Sequence, residues 1–218
     1  LAGVIAAVLA TLVTLPIWRL GGHYVSMATL ALGYIVLSVI RGWDAVTKGA
    51  YGLSGIPAPE ILGLRLLVAE DHYQLDLVVL AVTLFVVFRI RSSHLGNVLA
   101  AVGSDEIASR SLGLRTRGYK ALAYALAAFF AGMAGALLAH QYNYLDPTVF
   151  TVQMSVLVLT IVVLGGINSP FGAVLGSLAL VGLPEALRLA PDVRILLYGI
   201  VVIAIIRFLP QGLWTRRA

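Results

Sequence analysis

The chain has 218 residues, 60% of them hydrophobic and 11% charged, against roughly 45–50% and about 25% in soluble domains. This excludes a water-soluble globular domain, and at about 20 apolar residues per crossing it leaves room for about six to eight crossings. The absence of cysteine excludes disulfide scaffolds, thiolate metal sites and cysteine nucleophiles, while the net charge of +5 is informative only through where its residues fall.

In chain order, apolar stretches cover 1–15, 24–40, 75–90, 121–139, 149–164, 171–187 and 195–209. We expect an all-α fold: a polytopic transmembrane helix bundle of about seven segments, forming a single domain over 1–218. Stretches shorter than a full crossing are expected to extend into their flanks, run obliquely or be re-entrant. The chain opens at Leu1 inside an apolar run without a basic leader, so we expect further helices upstream rather than a signal peptide.

Between the second and third of these stretches, the segment 49–59 is dense in glycine and proline and should be turn-rich and non-helical. Its apolar Leu53 and Ile56 point to a segment folded back onto the bundle. One reading is an ordinary external loop. The other is a re-entrant piece in which Gly52, Ser54 and Gly55 line a substrate path, since irregular backbone at membrane depth is tolerated where it borders a cavity.

The residues 92–120 between the third and fourth stretches are too polar to cross. Within them, 103–118 carries a short helix signal: Ser104 as N-cap, Asp105 and Glu106 in the first turn where carboxylates suit the dipole, and Gly113 as the stop. Ile107, Ser111 and Leu114 would share one side, and Arg110 and Arg117 another. Two turns are too few to stand alone. The helix therefore needs a surface, either anionic lipid or another protein.

Small residues recur in two later segments: Ala128, Gly132 and Ala136 at four-residue spacing, then Gly172 and Gly176 as G-x-x-x-G. Such spacing lets helix backbones approach closely in lipid, within the bundle or against a second subunit. The run Gly165-Gly166-Ile167-Asn168-Ser169-Pro170 reads as a tight turn between two helices.

Basic residues accumulate on the cytoplasmic side of membrane proteins. In alternate connections, Arg19, Arg89, Arg91, Arg110, Arg115, Arg117, Lys120, Arg207, Arg216 and Arg217 fall on one side, and Arg41, Lys48, Arg65, Arg188 and Arg194 on the other. The first set is twice the second, so the 103–118 loop and the C-terminus are expected inside. The positive charge is thus accounted for by membrane orientation and not by a nucleic-acid surface.

Glu106-Ile107-Ala108, then Gly113, Arg115 and Tyr119-Lys120, resembles the EAA-type loop of ABC-importer permeases. The segments GAYGLSGIP (49–57), YKALAYALAAFFAGMAGALLAH (119–140), VVLGGINSPFGAVLG (162–176), LPEALR (183–188) and FLPQGLW (208–214) together resemble the branched-chain amino acid permease family of the LivM type. Asn168 and the missing N-terminal helices depart from that pattern. The resemblance implies a permease subunit in the inner membrane, with its C-terminus cytoplasmic, that pairs with a homologous second permease subunit. It also implies ABC ATPase subunits inside, which use ATP and Mg, and an extracytoplasmic solute-binding protein. The family's coupling role would fall on Asp105, Glu106, Ala108, Arg110 and Gly113, with no cofactor on this chain. Branched-chain amino acids are the expected cargo, with other amino acids, urea and short amides as the alternatives.

Nothing in the residues supplies an engine. The nearest approach to G-x-x-x-x-G-K-[ST] is Gly113 to Lys120, where lysine comes one position late and Ala121 replaces the required hydroxyl. The histidines His23, His72, His94 and His140 are isolated, with no paired spacing for a metal and no G-x-S-x-G. The centres of the apolar stretches carry no ionisable residue, which weighs against an ion-coupled secondary carrier. That carrier remains the alternative reading, with a non-transporting membrane scaffold as a third.

Overall fold

The computed structural model describes residues 1–14, 17, 23–57, 60–61, 64–65, 69–166 and 169–182. The seventh apolar stretch, the segments 183–188 and 208–214, Ile167, Asn168 and the basic C-terminus lie outside the described residues.

The chain is an all-α polytopic membrane protein, and six of the expected stretches coincide with helices: α1 (Ala2–Thr14), α2 (His23–Gly42), α4 (Ala69–Arg91), α7 (Thr116–Tyr142), α8 (Val152–Gly165) and α9 (Pro170–Ser177). A π-helical turn at Leu178–Gly182 follows α9. Two short helices were not anticipated, α3 (Asp44–Thr47) and α5 (His94–Ser104), while the short helix expected in the 103–118 loop is α6 (Glu106–Ser111), shorter than expected. Two helical spans, His72–Arg91 and Thr116–Tyr142, are long and apolar enough to cross a membrane. The helix pair Met27–Gly42 and Asp44–Tyr51 reaches the same standard only as a span bent by 73°. Large apolar side chains such as Ile5, Leu9, Leu12, Ile35, Val78 and Phe85 are exposed along these helices, as suits a surface that meets lipid or neighbouring subunits rather than water.

Contacts divide the chain into two compact units, Leu1–Thr151 and Val152–Ala218. In the first, α1 lies along α7 in close contact, with Gly3 and Gly132 at the points of nearest approach. A Cβ on Gly132 would come 2.5 Å from the Ala6 Cβ and 3.0 Å from the Ala2 carbonyl, and one on Gly3 would come 2.8 Å from the Phe129 carbonyl. Ala128 and Ala136, one turn to either side of Gly132, are half-buried. Hydroxyls on α1 are satisfied within the helix, Thr11 donating to the Ala7 carbonyl and Thr14 to that of Ala10, both at 2.6 Å, so that no donor is stranded in an apolar setting.

The second unit is a tight helical hairpin in its described part. A Cβ on Gly172 would overlap the Gly165 carbonyl, and one on Gly176 would come 2.5 Å from that of Ile161. α8 and α9 therefore touch backbone to backbone in antiparallel sense. Ser169 caps α9 by accepting from Gly172 N at 3.1 Å, with Pro170 in the first turn where its missing N–H costs nothing.

Candidate functional site

Two connections hold the candidate residues, one at each end of α7. The first runs from the end of α4 to the start of α7. Its opening residues, expected only to be too polar to cross, form a helix. Ser93 caps α5, and Val98 and Val102, one turn apart, are buried on the side facing the larger helices, giving an amphipathic helix that eleven residues of mixed composition conceal. The turn into it is sharp, because a Cβ on Gly96 would come 2.5 Å from the Ile90 carbonyl.

Ser104 is not the cap of α6. It is the last residue of α5, and its hydroxyl bonds back to the Ala101 carbonyl at 2.9 Å. Asp105 takes the cap: its backbone is extended (φ −149°, ψ 107°), and one carboxylate oxygen accepts from Ile107 N at 2.9 Å and Ala108 N at 3.0 Å. A charged acceptor suits two orphan amides at a helix N-terminus better than a hydroxyl does. Gly113 follows the helix at φ +83° with open space around it, so it is left-handed geometry and not crowding that favours glycine there. Because α6 ends at Ser111, the expected alignment of Leu114 with Ile107 and of Arg117 with Arg110 does not exist. Leu114 lies beyond the stop, and Arg117 belongs to α7.

Glu106 and Arg110 meet on the side of α6 that faces α7. One Glu106 oxygen accepts from Arg110 Nη2 at 2.6 Å and from the Thr116 hydroxyl at 3.3 Å, and the other is bonded by Lys120 Nζ. Arg110 Nε in turn donates to the Thr116 hydroxyl at 3.0 Å. Thr116, a member of this cluster, and Ser109 on α6 are both buried. The hydrogen bond from Lys120 holds the Glu106 carboxyl below its ordinary value of 4.5, against the opposing effect of burial and with further help from Arg110. Ala108 and Ser111 are exposed on the outward side, with Ile107 and Leu112 each 81% exposed.

The second connection runs from α2 to β1 (Leu53–Ser54) and meets the chain just after α7. Part of it is helical where none was expected: α3, then a 3-10 turn at Gly49–Tyr51. Lys48, Gly49, Gly52 and Gly55 all have positive φ, which folds the segment too tightly for one regular element. β1 pairs antiparallel with β4 (Tyr144–Leu145), Leu53 opposite Leu145. Around this bridge the bonds are chiefly to backbone. Gly55 N and Ile56 N donate to the Asn143 carbonyl at 3.2 and 3.4 Å, His140 Nδ1 donates to the Pro57 carbonyl at 2.8 Å, and the Tyr144 hydroxyl donates to the Tyr51 carbonyl at 2.9 Å. Gly52 is buried, and a Cβ there would overlap the Leu145 carbonyl. Ser54 and Gly55 are exposed, and Leu53 and Ile56 are half-buried. Ala58 and Pro59 lie outside the described residues. A separate hairpin, β2 (Glu60–Ile61) with β3 (Leu64–Arg65), follows.

The candidate residues thus form two clusters, 105–120 and 52–55, with Lys120 and Thr116 the members that sequence spacing did not single out. The signals for them are the place of Lys120 in the EAA-type resemblance and its position one α-helical turn after Thr116 at the start of a long apolar helix.

Comparison with known proteins gives a consistent result. The family model described as branched-chain amino acid transport system, permease component, matches residues 1–206. The permease protein LivM of the high-affinity branched-chain amino acid transport system of Escherichia coli (strain K12) is 33% identical over 236 residues, covering 98% of this chain and 56% of LivM. LivH of the same strain is 33% identical over 144 residues, covering 64% and 44% of the two chains. BraD of Pseudomonas aeruginosa is 32% identical over 146 residues, covering 64% and 45%. The chain spans about half the length of the curated relatives it matches. No solved structure matches it.

Proposed function

Because the chain belongs to the branched-chain amino acid transport system permease family, we propose that it acts as a membrane-spanning subunit of an ABC importer that carries branched-chain amino acids into the cytoplasm. It works with a homologous second permease subunit, two ATPase subunits that hydrolyse ATP with Mg, and a solute-binding protein on the outer side. The observation that carries this reading is the form of the 105–113 loop. A six-residue helix has no stability of its own, yet this one is fixed by a carboxylate cap and an ion-pair cluster and holds Ile107 and Leu112 out, 81% exposed. Apolar side chains offered from a capped polar loop suit a partner protein, and the excess of basic residues around it supports a cytoplasmic side.

In this reading closure of the ATPase subunits moves α6 and, with it, the helices, so that access alternates between the two faces. Gly52, Ser54 and Gly55 belong to the outer segment that borders the path. Gly52 holds it against β4, and Ser54 and Gly55 face the opening. The C-terminus lies inside, and Arg216→Cys in intact cells should resist an impermeant thiol reagent.

The test is uptake of labelled leucine by vesicles containing the assembled importer. ATP should drive it, and Ile107→Asp should lower both uptake and recovery of the ATPase subunit with the permease. Uptake driven by an ion gradient without ATP would replace this reading with the secondary carrier.

A further inference from the structure

The acidic residue of the loop faces inward. Glu106 has both carboxylate oxygens engaged, by Arg110 and Thr116 on one and Lys120 on the other, and its side chain is only 30% exposed. Thr116 and Lys120 stand one turn apart on the first two turns of α7, so both bonds end on the same face of that helix. The outward side of α6, meanwhile, carries Ile107, Ala108, Ser111 and Leu112, all exposed. The two sides of this short helix are thus chemically distinct: an apolar and hydroxyl side turned out, and a side on which Glu106 is turned onto α7 with Arg110, its side chain 54% exposed, at the edge.

A rod of 27 residues, about 40 Å long at 1.5 Å per residue, leads away from that contact. α7 contains no proline, and its far end is bonded to the outer segment through His140 and the Asn143 carbonyl. Displacement of α6 reaches α7 only if the joint between them is stiff. The linking residues turn through Gly113 at φ +83° and are held by local backbone bonds, Leu114 N to the Ser109 carbonyl among them; past that turn, the side-chain bonds of Glu106 to Thr116 and Lys120 tie α6 to the face of α7. We propose that Glu106 is a positioning residue, clasped through Lys120 to the start of α7, and that this clasp delivers the movement of the docked α6 to the transmembrane rod. The inference rests on the importer reading above and assigns its coupling step to a specific pair.

Lys120→Met separates the clasp from docking, because it removes the α7 partner and leaves the outward side of α6 untouched. In the assembled importer, recovery of the ATPase subunit should stay within about twofold, while uptake and ATP hydrolysis stimulated by loaded binding protein should fall about tenfold, the scale of one coupled side-chain pair. Lys120→Arg, which keeps the charge and the reach, should hold most of both. Exchanging the charges in Glu106→Lys with Lys120→Glu should recover more uptake than either single variant. A second readout needs no partner: amide exchange at Ile107 and Ala108 in the purified full-length permease should quicken in Lys120→Met.

Normal uptake by Lys120→Met overturns the proposal, as does loss of ATPase-subunit recovery in parallel with uptake, which would make this side part of the docking surface. Unchanged amide exchange overturns the clasp directly. A wild-type permease that recovers no ATPase subunit overturns the importer reading and the transmission role with it, while the exchange rates still report whether the clasp exists.

Discussion

The two ends of α7 are secured by opposite kinds of chemistry. At its start, residues 105–120 are joined by side chains, a carboxylate cap and a cluster of four polar groups separated by at most fourteen positions. At its finish, Asn143–Leu145 holds a segment more than eighty residues away, and the acceptors there are carbonyls at Tyr51, Pro57 and Asn143. A joint of charged side chains can be weakened step by step with pH, salt or substitution. A joint of backbone bonds depends on chain geometry, and it fails where a glycine is replaced. The difference sorts the two connections by what each can tolerate: the first yields gradually, the second abruptly.

The largest effect should follow Gly52→Ala. It adds a Cβ where the Leu145 carbonyl already sits and where φ is +68°, and we expect a loss of about 2–4 kcal/mol, read as lost amide protection at Leu53 and Leu145. Gly55→Ala sharpens this, since Gly55 has a similar φ of +77° with nothing nearby. Its cost should be near 1 kcal/mol, from conformation alone. If the two variants behave alike, the pairing of β1 with β4 does not depend on close approach.

At the other end, Asp105→Ala should cost about 1 kcal/mol and raise amide exchange at Ile107 and Ala108 while leaving Gly55 and Ile56 unchanged. Acidification provides a gentler break. Glu106 titrates below its ordinary 4.5 in the folded loop, so its contribution is complete above that value and fades as pH falls through the lower, folded one. Exchange at Ile107 should therefore rise only under acid conditions, with the 55–57 backbone bonds insensitive over the same range. The smallest effect is expected of Tyr144→Phe, which deletes one hydroxyl donor to Tyr51 at about 0.5–1.5 kcal/mol. It should loosen the 49–51 turn without releasing β1.

The same distinction explains what could be read from the sequence. Long apolar helices announce themselves by composition, and the turn chemistry of Gly113 and of Ser169-Pro170 is local, so these were legible. α5 was not, because Val98 and Val102 make a stripe too short to stand out among glycine, asparagine and serine. The shift of the cap from Ser104 to Asp105 turned on which of two adjacent good capping residues would end α5. Nothing local could reveal that Glu106 reaches Lys120, since the partner lies in another helix past a glycine stop. Nor could spacing show that Gly52 meets Leu145, a pairing of positions 93 apart. The family resemblance pointed to the 105–113 loop as a unit but carried no information on which of its sides faced the bundle.

At Gly3 and Gly132, α1 and α7 meet with no clearance. One residue of α-helix is about 100° of rotation, so turning α1 by that amount would bring Ala2 or Val4 to the place of Gly3 and drive a side chain into the Phe129 carbonyl. Slippage along the axis meets the same obstacle. The two helices are therefore keyed to one another, and any motion of this part of the molecule carries them as a single piece, with the freedom for it left to the joints around them.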